Sequence, residues 1–161
     1  MIHRKELEEY IIGPALKEIN MHSNDAVHLL LVTAALESDL GFHIKQVNGP
    51  ALGIYQMEPN THDDIWDNVL AYNSSKLQRM IGSGNGCSMP SRMIYDLKYA
   101  TCMARVLYSR YKDAIPGRQD TDSIIHYYLK YWKPNPKVMN YDKAKLKYKY
   151  YFGKGTEYEQ R

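Results

Sequence analysis

With 161 residues, 44% of them hydrophobic and 24% charged, the chain has the make-up of one soluble globular domain large enough to bury a core. A net charge of +3 and a pI near 8.7 fit an anionic polymer partner without demanding one. Two cysteines, Cys87 and Cys102, exclude a disulfide scaffold; both are expected as free thiols, with Cys102 packed in a helix. No apolar stretch follows Met1-Ile2-His3-Arg4-Lys5-Glu6, so no secretory signal is visible, and the longest apolar run, Leu29 to Leu36, is too short to span a bilayer.

In chain order the pattern is mainly helical. Lys5 to Asn20 carries apolar residues at Leu7, Tyr10, Ile11, Leu16 and Ile19, and Gly13-Pro14 interrupts it, as a kink or as the start of a second short helix. Ser23 suits the N-cap of the next helix, with Asp25 in its first turn. Val27, Leu30, Leu31 and Ala34 share a face of that helix up to about Glu37, and Gly41 reads as its stop. Residues 42–58 differ. His43 to Val47 alternates, Asn48-Gly49-Pro50 is turn chemistry, and Leu52 to Met57 reads as a short strand, so a small β-hairpin or irregular loop is expected.

Thr61 is the expected cap of a helix running through Asp63, Asp64, Ile65, Trp66 and Leu70. Gly82-Ser83-Gly84-Asn85-Gly86 reads as a surface loop, since no strand precedes it and no Gly-Lys-Ser/Thr follows, as a phosphate cradle requires. Ser91 to Lys112 gives the clearest helix, with Met93, Leu97, Ala100, Ala104, Leu107 and Tyr111 as a core stripe. Another helix spans Asp122 to about Trp132 and stops before Pro134 and Pro136. The basic, tyrosine-rich segment 134–161 is expected to pack on or extend from a single domain over 1–161, its lysines solvated and its tyrosines turned inward, in preference to a handle for anionic glycans or nucleic acid. No internal repeat is present.

One carboxylate stands out. Glu37-Ser38 ends the apolar run, and the glycine-rich, aromatic segment Gly49 to Pro59 follows closely. The negative end of a helix disfavours an ionised carboxylate, and desolvation by Leu36, Leu40 and Phe42 pushes the same way. Both favour the protonated acid that departure of a glycosidic oxygen needs. The residues alone leave open a plain surface glutamate near a helix end. A second carboxylate at 6.5–9.5 Å would be needed to hold a water for inverting hydrolysis. Glu58 is the best candidate, because Asp63 and Asp64 suit a helix start. Six histidines invite a metal reading, but no His-Glu-x-x-His occurs and His62-Asp63-Asp64 is too compact for a ligand set, so neither metal nor cofactor is expected.

The string Thr33-Ala34-Ala35-Leu36-Glu37-Ser38, then Gly53-Ile54-Tyr55-Gln56-Met57 and Pro59-x-Thr61, resembles the Glu-Ser … Gly-Leu-Met-Gln … Thr pattern of soluble lytic transglycosylases and goose-type lysozymes. With Gln46-Val47, Gly49 to Leu52 and Thr61-His62-Asp63-Asp64 it is similar to a bacteriophage-encoded branch of that group. The match is specific over residues 23–66 and looser to about 133. It implies a mainly α (α+β), two-lobed lysozyme-like fold, with the helix from Ser91 as the long central helix. It also implies a groove for a peptidoglycan glycan strand and cleavage of the MurNAc–GlcNAc β-1,4 bond, with Glu37 as general acid. In the transglycosylases the same residue then acts as base while the sugar's 6-hydroxyl closes an anhydro ring.

By the same resemblance Gln56 and backbone near Ile54 would bind the sugar beside the scissile bond, and Ser38 would orient Glu37 or line the groove. Two departures are visible. Ile54-Tyr55 replaces Leu-Met and is expected to add the Tyr55 ring to the groove. The family's late Tyr-Asn before Gly reads Tyr127-Tyr128-Leu129-Lys130-Tyr131-Trp132 here, with Tyr131 the best positional match and Tyr128 one turn earlier. The implied setting is a monomeric phage endolysin, reaching the wall from the host cytoplasm through a holin, or a virion component, with no nucleic acid and no membrane insertion. A non-catalytic glycan-binding or virion structural protein is the alternative.

Overall fold

The computed structural model describes residues 1–72 and 89–155. The expected loop Gly82–Gly86 and Cys87, with any pairing to Cys102, lie outside these residues. Cys102 itself is buried, its thiol 4.0 Å from the Ala15 carbonyl, and burial pushes it up to about 12.

The first helical stretch is continuous but not uniform: α1 (Arg4–Glu6), a π-helical segment π1 (Leu7–Ile12) and α2 (Gly13–Glu18) follow without a break. Pro14 explains this. Its ring clashes with the carbonyl four residues back and it has no N–H to donate, so the backbone widens ahead of it and Gly13 bonds to Glu8. Leu7, Ile12, Ala15 and Leu16 are buried, whereas Tyr10, expected on the apolar face, is 65% exposed.

The next helix, α3 (Asn24–Ser38), starts as expected, with the Ser23 hydroxyl accepting from the Ala26 amide at 3.0 Å. Residues Leu29 to Leu36 are all buried, so the helix is apolar on every side. It packs against π1, α6 (Leu97–Ser109), α7 (Thr121–Tyr131) and α8 (Tyr141–Phe152). The helix expected from Ser91 is split: α5 (Arg92–Tyr95) ends at Asp96, whose carboxylate accepts from the Tyr99 amide and caps α6. Its longer part, α6, packs against α2, π1, α3, α5 and the helix over 59–68, so α3 and α6 share the middle of the packing.

Two further boundaries move. The helix α4 (Pro59–Asn68) begins two residues before Thr61, with Pro59 in its first turn, where a missing N–H costs nothing. Asp63 and Asp64 therefore lie beyond the helix start. They pair instead with His62 and Arg110. A short 3₁₀ turn, Leu70–Tyr72, follows. The expected strand over Leu52–Met57 is a tight loop. Among the described residues only isolated antiparallel bridges, Lys45 with Leu52 and Leu52 with Met57, are present.

The basic segment forms α8, which lies on α3 and α7. Tyr151 is buried and donates to Asp39 at 2.9 Å, while Lys147 reaches both the Leu36 carbonyl and Asp39 at 2.9 Å. A cation at the carbonyl end of α3 satisfies groups the helix leaves open. Lys143, Lys149 and Lys154 are exposed. Among the described residues no helix is long and apolar enough to cross a membrane.

Candidate functional site around Glu37

The end of α3 is built by a backbone reversal. Asp39, Leu40 and Gly41 take left-handed conformations in succession, and the Leu40 amide closes back on the Ala34 carbonyl at 3.2 Å. Ser38 is fully buried. Its hydroxyl donates to the Ile54 carbonyl at 2.5 Å and accepts from the Gly41 amide at 2.9 Å. Among the described residues its hydroxyl makes no hydrogen bond to the Glu37 carboxylate, and its burial keeps it out of a groove wall. Its work is to tie the helix end to the 53–56 turn. Ile54 is buried, and its carbonyl is taken up by Ser38 rather than turned to the cavity lined by Gln56 and Glu58.

The turn itself is closed by reciprocal bonds between Leu52 and Met57, at 2.9 and 3.1 Å. Gly53 is demanded twice: its φ is +74°, and an added Cβ would stand 2.2 Å from the Met93 carbonyl oxygen. Gln56 also has a positive φ, 48°, and its side-chain amide donates to the Gly53 carbonyl at 2.8 Å. Between these two left-handed residues strict alternation fails, and Tyr55 turns inward. The ring is 1% exposed and its hydroxyl lies 3.1 Å from that of Thr101, so the expectation that it lines the groove is corrected. Burial pushes that hydroxyl well up.

The Glu37 side chain is 4% exposed, and both of its oxygens are engaged. The Tyr128 hydroxyl donates to Oε1 at 2.6 Å, and the Lys133 ammonium donates to Oε2 at 3.0 Å. Burial first, then the Glu37 charge, raises the Tyr128 hydroxyl far above its ordinary value, so it remains a donor at all ordinary pH. Of the two tyrosines expected near the acid, Tyr128 is the one that touches it. Tyr131 points the other way, donating to Asp113 and stacking on Tyr111 at 4.1 Å. Of the three side chains expected to desolvate Glu37, Leu36 and Leu40 are buried and Phe42 is exposed.

Beside this cluster is a cavity of about 430 Å³. Gln46, Gln56, Glu58 and Thr61 line it on one side, and Trp132, Lys133, Asn135 and Val138 on the other. Glu58 is exposed and sits just ahead of α4 in an extended conformation without capping that helix. Gln56, Glu58 and Lys133 thus share one cavity, and Glu37 stands directly behind the Lys133 ammonium. A second cavity, about 390 Å³ and lined by Asp25, Arg105, Tyr111, Asp113 and Tyr127, includes none of these residues.

The sequence pattern did not point to Lys133. It lies 96 residues from Glu37, in a proline-flanked loop without periodicity. The signal that existed was a lone lysine one turn beyond Tyr128, just past the helix end. No group of three or more His, Cys, Asp or Glu side chains suited to a metal ion occurs among the described residues. No protein-family model, curated protein or solved structure matches this chain.

Proposed function

We propose that the chain is a lysozyme-like enzyme that cleaves the β-1,4 glycosidic bond of peptidoglycan, with Glu37 as general acid. One observation carries the reading: a nearly buried carboxylate, held by Tyr128, is paired with Lys133, which lines a cavity together with Gln56 and Glu58. Sequestered carboxyl groups next to a sugar-sized cavity suit protonation of a leaving oxygen. In the first step Glu37 gives its proton to the glycosidic oxygen as the bond from the anomeric carbon to that oxygen breaks. Two second steps are open to this geometry. The sugar's own 6-hydroxyl oxygen bonds to the anomeric carbon and its proton returns to Glu37, or a water held by Glu58 attacks and loses its proton to Glu58. The resemblance to bacteriophage enzymes extends the proposal to wall degradation during infection.

Digestion of purified peptidoglycan, followed by mass spectrometry of the released muropeptides, tests it. Glu37→Gln is expected to lower the rate by on the order of 100-fold or more with the fold intact. Lysis by this variant near the wild-type rate removes Glu37 as the acid. Hydrolysis adds a water at each cut and ring closure does not. Water-containing products together with an inactive Glu58→Gln assign Glu58 as the base, whereas anhydro products with an active Glu58→Gln leave Glu37 to serve in both steps.

One observation favours a second reading. The Lys133 ammonium occupies Oε2 of Glu37, as in a structural ion pair, and a glycan-binding protein without catalysis would keep that pair closed. Binding of glycan fragments without any release of muropeptides would select it.

A further inference from the structure

We propose that Lys133 is a latch on Glu37, displaced from it by a glycan strand that enters the cavity, with Glu58 as the group that receives its ammonium. The inference rests on the reading of Glu37 as the acid.

A carboxylic acid that donates a proton carries a hydrogen on one oxygen, and that oxygen cannot at the same time accept hydrogen bonds along the same direction. Here Oε1 accepts from Tyr128 and Oε2 accepts from Lys133, so both oxygens act as acceptors. Tyr128 is buried at the heart of α7 and is fixed. Lys133 differs. Its side chain is 31% exposed, it lies beyond the helix end, and four flexible methylenes carry its charge. Releasing Oε2 therefore falls to Lys133.

The cavity gives the release a cause and a destination. Lys133 is among the residues lining it and Glu37 is not, so a ligand filling it contacts Lys133. Glu58 lines the same cavity, is exposed, and its carboxylate makes no hydrogen bond or ion pair among the described residues. It offers the displaced ammonium a second carboxylate. The backbone need not move, because the Trp132 and Lys133 amides both bond to the Tyr128 carbonyl, at 2.8 and 3.1 Å, and anchor the lysine to the residue that holds the other oxygen. Proton balance is simple: the freed Glu37 carboxylate takes its proton from solvent, and Lys133 keeps its own throughout.

The test follows the ammonium of Lys133 by NMR in the full chain labelled with ¹⁵N-lysine, with chitotetraose as the probe; Lys133→Met identifies the signal. Saturating probe is expected to shift the Lys133 signal, and Glu58→Gln is expected to reduce that shift. An unchanged Lys133 signal overturns the latch. Affinity gives an independent sign. Lys133→Met has no ion pair to open and is expected to bind chitotetraose on the order of 3- to 10-fold more tightly, whereas weaker binding makes Lys133 a direct sugar contact and overturns the proposal. Should that variant fail to fold, Lys133→Gln, which keeps a donor without the charge, is read the same way. These measurements need no turnover, so a lytic Glu37→Gln would refute the acid and leave the displacement result standing by itself.

Discussion

The helix α7 places the same three chemical groups at two positions, with opposite consequences. At one Tyr128, Glu37 and Lys133 meet; at the other Tyr131, Asp113 and Lys130 meet. Each set is a phenol and an ammonium donating to a carboxylate. The Glu37 side chain is 4% exposed, that of Asp113 is 55% exposed. Around Asp113 water competes for every contact, and the hydrogen bonds from Lys130 and then Tyr131 hold the carboxyl below its ordinary value without committing it to anything else. Glu37 is nearly closed off from solvent, so a lost partner is costlier to replace and each contact weighs on the others. Residue identity therefore does not distinguish the two clusters. Seclusion does.

The comparison breaks most visibly in activity. If seclusion is what matters, Glu37→Gln lowers peptidoglycan turnover by on the order of 100-fold, while Asp113→Asn stays within about twofold of wild type in the same turbidity assay. Equal losses would erase the distinction between the two clusters.

A half-buried group hydrogen-bonded to a phenol and to no carboxylate sharpens it further. His28 packs edge-on against the stacked Tyr148 and Phe152 of α8, with its ring nitrogen 3.2 Å from the Tyr148 hydroxyl. Burial, then the charge of Arg118, lowers it to about 4. The folded state thus binds fewer protons than the unfolded chain between pH 4 and 6.5, so stability falls as pH drops through that window. The expected loss is on the order of 2 kcal/mol, smaller than the full shift would give because the ring retains some solvent. Urea denaturation at pH 7 and pH 4.5 checks it, and His28→Gln is expected to flatten the difference.

The two phenols make the finest comparison. Tyr128→Phe strips a donor from a secluded carboxylate and is expected to cost about 1.5 kcal/mol in urea denaturation. Tyr131→Phe is expected to leave the midpoint where it is. The Asp113 cluster itself contributes only above the ordinary aspartate range and is lost as pH falls through its lowered folded value.

How far the sequence reaches into this site follows from range. The apolar run places Glu37 at a buried helix end, and the glycines announce a special turn at 53–56, because both are local signals. Choosing between Tyr128 and Tyr131 requires knowing which side of α7 meets α3, and that is a tertiary fact. Tyr55 misleads because the alternation rule assumes extended backbone, and the left-handed Gly53 and Gln56 remove it. Asp96 and Pro59 were readable as helix starts. Each was outweighed by a stronger neighbouring pattern, the long apolar stripe in one case and the favourable cap at Thr61 in the other. Lys133 had no pattern to carry it.

The bond from Ser38 to the Ile54 carbonyl reaches beyond local order. It rivets the turn bearing Gln56, and Glu58 just after it, to the helix that bears Glu37, and the close seat of Gly53 on Met93 clamps that turn. Pro134, Asn135 and Val138 line the same cavity from an exposed segment, 134–138, between α7 and α8. One part of the lining is therefore cast into the frame and the other is hung outside it, so changes in the proline-flanked loop are expected to reshape the cavity before changes in the turn do.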